Sequence, residues 1–141
     1  MVKEIKFKTC YVDEMKAIEY ITIFVVIFLV YGFVTRSFFS VAKLQEEMKA
    51  GRAVVIDVRE KDEIEQGMLK DALWLPLSKL RSEDVSQELQ KLKEKYPSKT
   101  FYLYCRSGNR SGISKSIFEK HGLPTENIGG FNSLSRILPI K

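Results

Sequence analysis

The sequence has few of the residues from which disulfide frameworks and metal centres are built. It contains two cysteines, Cys10 and Cys105, far apart in the chain, and a single histidine, His121. Two cysteines are too few for a disulfide framework, and nothing in the sequence argues for a bridge between them. One histidine without a cluster of other ligands predicts no metal site. We therefore expect two free thiols in a reducing compartment, and neither a metal nor another cofactor.

Strong charge of one sign is also lacking. The formal net charge is +5 over 141 residues, and no basic run is interleaved with aromatic residues. This composition does not predict nucleic acid as a partner. The spacings typical of phosphate loops, dinucleotide-binding turns and zinc sites are absent from the sequence. The length suits one compact domain with an appendage.

The appendage is an apolar segment near the amino terminus. Residues 20–34, YITIFVVIFLVYGFV, contain no charged side chain. A helix over residues 17–35 would be about 28 Å long, close to the hydrocarbon thickness of a bilayer. We predict an N-terminal tail over residues 1–16 and a transmembrane helix over residues 17–36. A buried core helix is one alternative, and a signal peptide cleaved after the SVA of residues 40–42 is another.

The predicted location is therefore the membrane, which the chain would cross once. Each flank of the apolar segment carries four lysines or arginines, so the positive-inside count is balanced. Arg36 lies closer to the apolar segment than Lys16 does. For that reason we expect the domain after the segment to face the cytoplasm.

Residues 37–141 predict a different organisation, in which strands and helices alternate. Short apolar runs at 53–57, 72–76 and 100–104 predict buried strands, and a last short strand precedes a Gly-Gly turn at 129–130. Ser40 is a suitable cap for a helix over 41–50 that stops at Gly51, and further helices are predicted over 84–96 and 110–122. The pattern predicts an α/β fold with a parallel sheet flanked by helices on both faces.

A cysteine stands at the end of one predicted strand, in the stretch FYLYCRSGNRSG of residues 101–112. Functional residues of parallel α/β sheets lie at the carboxyl ends of strands, where Cys105 stands. The turn that follows contains Gly108, and such a turn aims its N–H groups inward at the start of a helix. That field favours a thiolate, and Arg106 and Arg110 add positive charge. The pattern indicates a nucleophile for an anionic substrate, and a buried structural cysteine is the alternative.

The loop YCRSGNRS resembles the active-site loop of rhodanese-domain sulfurtransferases. Further segments similar to this family occur in the same order: VVIDVRE at 54–60, EIEQGMLKDALWLPL at 63–77, NIGGF at 127–131 and LPI at 138–140. The resemblance covers about residues 38–141. The sequence departs from the family pattern at Met68, where His is usual, at Asp71, where Gly is usual, and in lacking a Trp after the Gly-Gly pair.

The resemblance implies a rhodanese-like domain over residues 37–141 with thiosulfate sulfurtransferase-like activity. Cys105 would take a sulfane sulfur from a small anionic donor such as thiosulfate and pass it, as a persulfide, to cyanide, a thiol or a protein acceptor. Asp57 and Arg59 are expected to support the loop. The residues expected to bind the substrate are those of the loop itself: Arg106, Ser107, Gly108, Asn109 and Arg110.

Two other functions are compatible with the same residues. Cysteine-dependent phosphatases, including those that share this fold, have the pattern C-x5-R, whereas this loop is C-x4-R with Ser111 in the sixth position. A rhodanese-like module without turnover, acting as a sulfur carrier or sensor, is the second alternative. Cys10 is interpreted as an idle thiol, with a persulfide acceptor or a lipidation site as alternatives.

Overall fold

The computed structural model describes the backbone from Val2 to Lys141 and the side chains of residues 18–32 and 41–141. Contacts between Cα atoms divide the chain into two compact units, Met1–Phe39 and Ser40–Lys141. Cys10 lies outside the described side chains, so its predicted idle role stays a prediction.

The first unit is helical, within helix α1 (Val2–Lys49). Its described apolar side chains are exposed, from 48% at Val25 to 72% at Tyr20 and Phe24. Among the side chains described, no helix is long and apolar enough to cross a membrane. The predicted transmembrane helix over 17–36 is therefore not supported. Its described part, residues 18–32, would span about 23 Å, less than a bilayer core, and residues 17 and 33–36 lie outside the described side chains.

The second unit is built around one parallel sheet of four strands in the order β2-β1-β3-β4. The strands are β1 (Ala53–Asp57), β2 (Leu73–Trp74), β3 (Thr100–Cys105) and β4 (Thr125–Gly130). The helices that follow α1 are α2 (Lys61–Ile64), α3 (Leu77–Leu80), α4 (Val85–Lys95), α5 (Asn109–Lys120) and α6 (Phe131–Leu134). The predicted α/β fold with a parallel sheet is confirmed.

Strand β3 is buried on both faces because its side chains alternate between two apolar clusters. Phe101 and Leu103 pack in one cluster with Leu89 of α4 and Phe118 of α5. All four side chains are at most 2% exposed. A strand covered in this way has apolar residues at every position, which is why this run showed no polar alternation.

The opposite face of β3 carries tyrosines. Tyr102 and Tyr104 pack with Leu44, from the last turns of α1, and with Leu134 of α6. The Tyr104 hydroxyl accepts a hydrogen bond from the backbone N–H of Leu69 at 3.0 Å. Helices thus cover both faces of the sheet, as predicted, and hold the strand that ends at Cys105 between them.

Three predictions of elements are wrong in detail, and the first is the strand over 72–76, of which only Leu73–Trp74 forms β2. The backbone is helical through Ser40, so this residue does not begin a helix, although α1 ends as predicted before Gly51 (φ +68°). The glycines at 129 and 130 lie in β4 rather than in a turn. Opposite the β3 residues Leu103 and Cys105, β4 contains one additional residue, so the register shifts there. This β-bulge lies directly beside Cys105.

The segment between α2 and β2 is held by the carboxyl terminus of the chain. Met68 exchanges two backbone hydrogen bonds with Lys141, at 3.2 and 2.9 Å. Asp71 has φ +63°, in the left-handed region that favours glycine. Asp tolerates this region better than most residues, which explains how it stands where the family pattern has Gly.

Candidate active site

The parallel sheet brings the carboxyl ends of β1 and β3 side by side. Asp57, the last residue of β1, pairs with Tyr104, and Cys105 is the last residue of β3. Gly108, with φ +103°, caps the amino end of α5 at Asn109. The predicted strand, tight turn and helix are therefore present, and the five predicted loop residues from Arg106 to Arg110 lie next to the thiol, in the turn and the first two positions of α5.

The thiol of Cys105 is buried and surrounded by hydrogen-bond donors. Its Sγ accepts a hydrogen bond from the N–H of Gly108 at 3.0 Å, and Ser111 Oγ lies 3.7 Å away. Burial alone would raise the pKa of Cys105. The N–H and hydroxyl of Ser111 and the N–H groups of Gly108 and Ser107 outweigh burial, and the pKa is lowered. The arrangement therefore favours the thiolate, the nucleophilic form of cysteine.

Asn127 of β4 joins the loop to the sheet, a role that sequence reasoning missed. Its Oδ1 accepts hydrogen bonds from Ser111 Oγ at 2.8 Å and from the N–H of Gly129 at 3.0 Å. Its Nδ2 donates to the carbonyl oxygen of Gly108 at 2.9 Å. The only signal in the sequence was an amide residue near the carboxyl end of a predicted strand.

The glycine pair allows the bulge of β4 to approach the loop closely. A Cβ added to Gly130 would lie 2.6 Å from the carbonyl oxygen of Arg106, a distance that side chains do not tolerate. A Cβ added to Gly108 would lie 3.4 Å from Cα of Gly129. The absence of side chains is therefore what lets the two backbones pack against each other.

Arg110, predicted to bind an anionic substrate, is engaged by a carboxylate that sequence reasoning did not single out. Its Nη2 donates to Glu63 Oε1 at 2.7 Å, and its Nη1 donates to Oε2 of the same carboxylate. The pair lowers the pKa of Glu63, with the hydrogen bonds from Arg110 as the largest cause. The pKa of Arg110 is raised, chiefly by Glu63 and further by the nearby Cys105.

Asp57 and Arg59 form a buried ion pair beside the loop. Arg59 Nη2 lies 2.7 Å from Asp57 Oδ2, and the two side chains are 5% and 0% exposed. Arg59 also donates to the carbonyl oxygens of Gly67 at 2.7 Å and Glu63 at 3.3 Å, and its guanidinium lies 4.0 Å from the ring centroid of Phe131. The contacts of Arg59 therefore hold the backbone around Glu63, which in turn contacts the loop at Arg110.

The remaining loop side chains face outward. Arg106, Ser107 and Asn109 are exposed. Among residues 18–32 and 41–141, Arg106 forms no ion pair and no group of three His, Cys, Asp or Glu side chains could hold a metal ion. His121 contacts the Ile117 carbonyl oxygen at 2.9 Å, near the end of α5.

The site and fold define an α/β domain with a buried cysteine at the carboxyl end of a strand in a parallel sheet. The sequence profile of the Rhodanese-like domain family matches residues 40–136. The chain therefore belongs to the rhodanese-like domain family, and the resemblance noted in the sequence is confirmed at that level.

Individual relatives agree with this assignment. The chain is 36% identical over 89 residues, or 55% of its length, to "Putative thiosulfate sulfurtransferase, mitochondrial" of Schizosaccharomyces pombe, and it spans only 57% of that protein. It is 30% identical over 92 residues, or 64% of its length, to "Putative sulfurtransferase YtwF" of Bacillus subtilis, spanning 82% of it. A rhodanese-related protein of Thermoplasma volcanium has a similar structure, with a TM-score of 0.56, 28% identity, and coverage of 71% of this chain and 92% of that one.

Proposed function

We propose that residues 40–141 form a sulfurtransferase that carries a sulfane sulfur on Cys105. The observation that carries the proposal is a buried thiol at the start of α5 whose Sγ accepts the N–H of Gly108 at 3.0 Å. The surrounding donors lower the pKa of Cys105, which favours the nucleophilic thiolate, and they suit a negatively charged sulfur.

In the first half-reaction, the Cys105 thiolate attacks the outer sulfur of a donor. With thiosulfate, a bond forms between Sγ and that sulfur, the bond to the sulfonate sulfur breaks, and sulfite leaves with the electron pair. The product is a Cys105 persulfide. The N–H groups of Ser107, Gly108 and Ser111 are placed to stabilise its charge, because they already contact Sγ or lower its pKa.

In the second half-reaction, a nucleophilic acceptor attacks the outer sulfur of the persulfide. Cyanide would form thiocyanate, and a thiolate would form a new persulfide. The Cys105 thiolate leaves and is regenerated, so the cycle needs no oxidant or cofactor. The exposed face of the loop, with Arg106 and Asn109, is the side from which an acceptor would approach.

The loop length supports sulfur transfer over phosphate-ester hydrolysis. Arg110 is the fifth residue after the cysteine, and the sixth, Ser111, turns its hydroxyl inward to Asn127 and the carbonyl oxygen of Gly108. A phosphate ester would need three oxygens placed among the same N–H groups that now contact one sulfur. We expect negligible hydrolysis of aryl phosphates. If the rate of that hydrolysis matched the rate of sulfur transfer, the chain would be assigned as a phosphatase instead.

The test is mass spectrometry of the full chain after exposure to thiosulfate, followed by turnover with cyanide. We expect a mass gain of one sulfur on Cys105 and steady release of thiocyanate. Cys105→Ser should form no persulfide and keep its fold, because the hydroxyl is nearly isosteric but a much poorer nucleophile. A persulfide without turnover would favour the carrier or sensor, and sulfur transfer by Cys105→Ser would remove Cys105 from the mechanism.

We propose separately that the apolar residues 18–32 attach the chain to a membrane. The specific support is a contiguous series of large apolar side chains, of which Phe24, Phe28 and Leu29 are 64–72% exposed. Monomeric soluble proteins rarely expose apolar patches of this extent. The full chain should sediment with anionic phospholipid vesicles, and replacing Phe24 and Phe28 by Lys should reduce that fraction. Equal sedimentation of the wild type and this variant would refute the attachment. The side of the membrane on which residues 40–141 lie stays a prediction.

A further inference from the structure

The carboxylate of Glu63 occupies the arginine that would otherwise be available to an anionic donor. We propose that Glu63 determines donor specificity, disfavouring dianionic donors such as thiosulfate relative to persulfides of small thiols. This inference rests on the proposed sulfur transfer at Cys105. It concerns only which donor the site prefers. The persulfide formed on Cys105 is the same for every donor.

The contact between the two side chains leaves Arg110 little capacity for a second anion. Both carboxylate oxygens of Glu63 accept hydrogen bonds from the two terminal nitrogens of Arg110. This two-point arrangement is the one in which a guanidinium would also grip a sulfonate or phosphate group. A dianion at Cys105 must therefore displace Glu63 or bind without the terminal nitrogens of Arg110.

Displacing Glu63 is opposed by the contacts that hold it. Its Oε2 accepts a hydrogen bond from the N–H of Glu60 at 3.2 Å, closing the first turn of α2. Its backbone carbonyl accepts from Arg59 Nη1 at 3.3 Å, and Arg59 is fixed by the buried Asp57. The carboxylate thus lies on a supported backbone and is half-buried with Arg110, at 21% and 28% side-chain exposure.

The charges around the reactive sulfur also disfavour a dianionic donor. Arg106 and Arg110 each contribute a positive charge, while Glu63 and the Cys105 thiolate each contribute a negative one, so these four groups sum to zero. Asp57 and Arg59 neutralise each other nearby. A neutral site offers a dianion little attraction to offset the loss of its water shell. A donor that reacts in a neutral form loses nothing by the presence of Glu63.

A protonated persulfide of a small thiol, RS–SH, is such a donor. The Cys105 thiolate attacks its outer sulfur, the RS–S bond breaks, and the thiolate RS⁻ leaves with the electron pair. Cys105 then carries the –SH group as its persulfide, so atoms and charge balance. Unlike thiosulfate, this donor has no sulfonate group that would need Arg110.

The experiment measures kcat/KM of the full chain with two donors, thiosulfate and the persulfide of 2-mercaptoethanol, whose RS group is uncharged, and compares their ratio between variants. Glu63→Gln keeps an oxygen for the N–H of Glu60 and for Arg110 but removes the charge. The ratio of kcat/KM for thiosulfate to kcat/KM for mercaptoethanol persulfide should rise about tenfold, which corresponds to roughly one charge-assisted hydrogen bond. Glu65→Gln is the matched control, since Glu65 is exposed on the same segment, and its ratio should stay within about twofold of wild type.

A second variant, Glu63→Ala, and a test of persulfide formation with each donor separate a loss of specificity from a loss of folding or activity. Glu63→Ala removes both the charge and the hydrogen bonds, and its ratio should also rise. Because the ratio is taken within one preparation, partial loss of folded protein lowers both rates and leaves the ratio unaffected. An unchanged ratio in both Glu63 variants, with Cys105 persulfide still formed by each donor, would overturn this inference alone. Failure of wild type to form a persulfide from either donor would overturn the proposed function, and this inference with it.

Discussion

Ser111 Oγ donates a hydrogen bond to Asn127 Oδ1 at 2.8 Å while lying 3.7 Å from Cys105 Sγ. These contacts connect strand β4, the first turn of α5 and the reactive sulfur in one chain of polar groups. Asn127 also binds the carbonyl oxygen of Gly108, whose N–H contacts the same sulfur. The geometry of the donors around Cys105 therefore depends on a side chain from another strand.

Removing the Ser111 hydroxyl should raise the pKa of Cys105. Ser111→Ala loses a donor that lowers this pKa, while burial, which raises it, remains. The reactive thiolate should then appear at higher pH than in wild type. The measurement is the pH dependence of alkylation by iodoacetamide, in which the midpoint should move upward. Ser116→Ala, at an exposed position of the same helix, should leave the midpoint in place, and a matching upward shift there would contradict the assignment to Ser111.

Removing the Asn127 side chain should destabilise the domain and loosen the loop. Asn127→Ala leaves the N–H of Gly129 without its side-chain acceptor. It also removes one donor from the carbonyl oxygen of Gly108, which still accepts from the N–H of Gly112 at 3.1 Å. The N–H left without a partner costs about 1–3 kcal/mol if it remains buried. Urea unfolding should show a lower free energy of unfolding, whereas Asn132→Ala, exposed on α6, should change it little. Equal stability of the two variants would show that Asn127 does not brace the loop.

Two glycines of the site should respond to alanine in opposite directions. Gly130→Ala would place a Cβ 2.6 Å from the Arg106 carbonyl oxygen, so the loop or the bulge must move. We expect a loss of about 1–3 kcal/mol of stability and a large loss of activity. Gly112→Ala is the matched contrast in α5, since its Cβ would meet Asn127 Nδ2 at an ordinary 3.5 Å. It should gain up to about 1 kcal/mol from helix propensity. Thermal unfolding checks both, and a Gly130→Ala protein as stable as wild type would be incompatible with the close approach.

The ion pair of Glu63 should make a pH-dependent contribution to stability. The folded pKa of Glu63 is lowered, so folding favours its ionised form. The stability it contributes is fully present above the unfolded pKa, about 4.3, and is lost as the pH falls through the lowered folded value. Wild type should therefore exceed Glu63→Gln in free energy of unfolding near pH 7, and the difference should disappear in acid. A difference that stays constant from pH 7 to acid would indicate a contribution other than ionisation.

Much of the domain could be predicted from local patterns in the sequence. The apolar runs that became β1 and β3 were predicted to within a residue, because strands buried on both faces are apolar at every position. Helix α4 was predicted from its apolar spacing between Asp84 and Pro97. Cys105 and its loop were identified because a thiol between a buried strand and a glycine-containing turn is a local signal that needs no distant partner.

What the sequence could not supply were contacts between residues far apart in the chain. Glu63 precedes Arg110 by 47 positions, and Asn127 follows Ser111 by 16. As single letters they are an acidic residue in a charged segment and an amide near a strand end. The glycine pair was interpreted as a turn because glycine favours turns, whereas pairing with β3 drew it into a bulge beside Cys105.

The sequence by itself determined the order of strands and helices, the position of the cysteine and the composition of its loop, since these follow from local propensity and burial pattern. Only the tertiary structure decided which charges face one another at Cys105. A parallel sheet places the ends of distant strands and their following turns at one edge, and there Arg110 meets the carboxylate of Glu63. Which side chains surround the thiol therefore depends on the strand order, and no local pattern in the chain encodes that order.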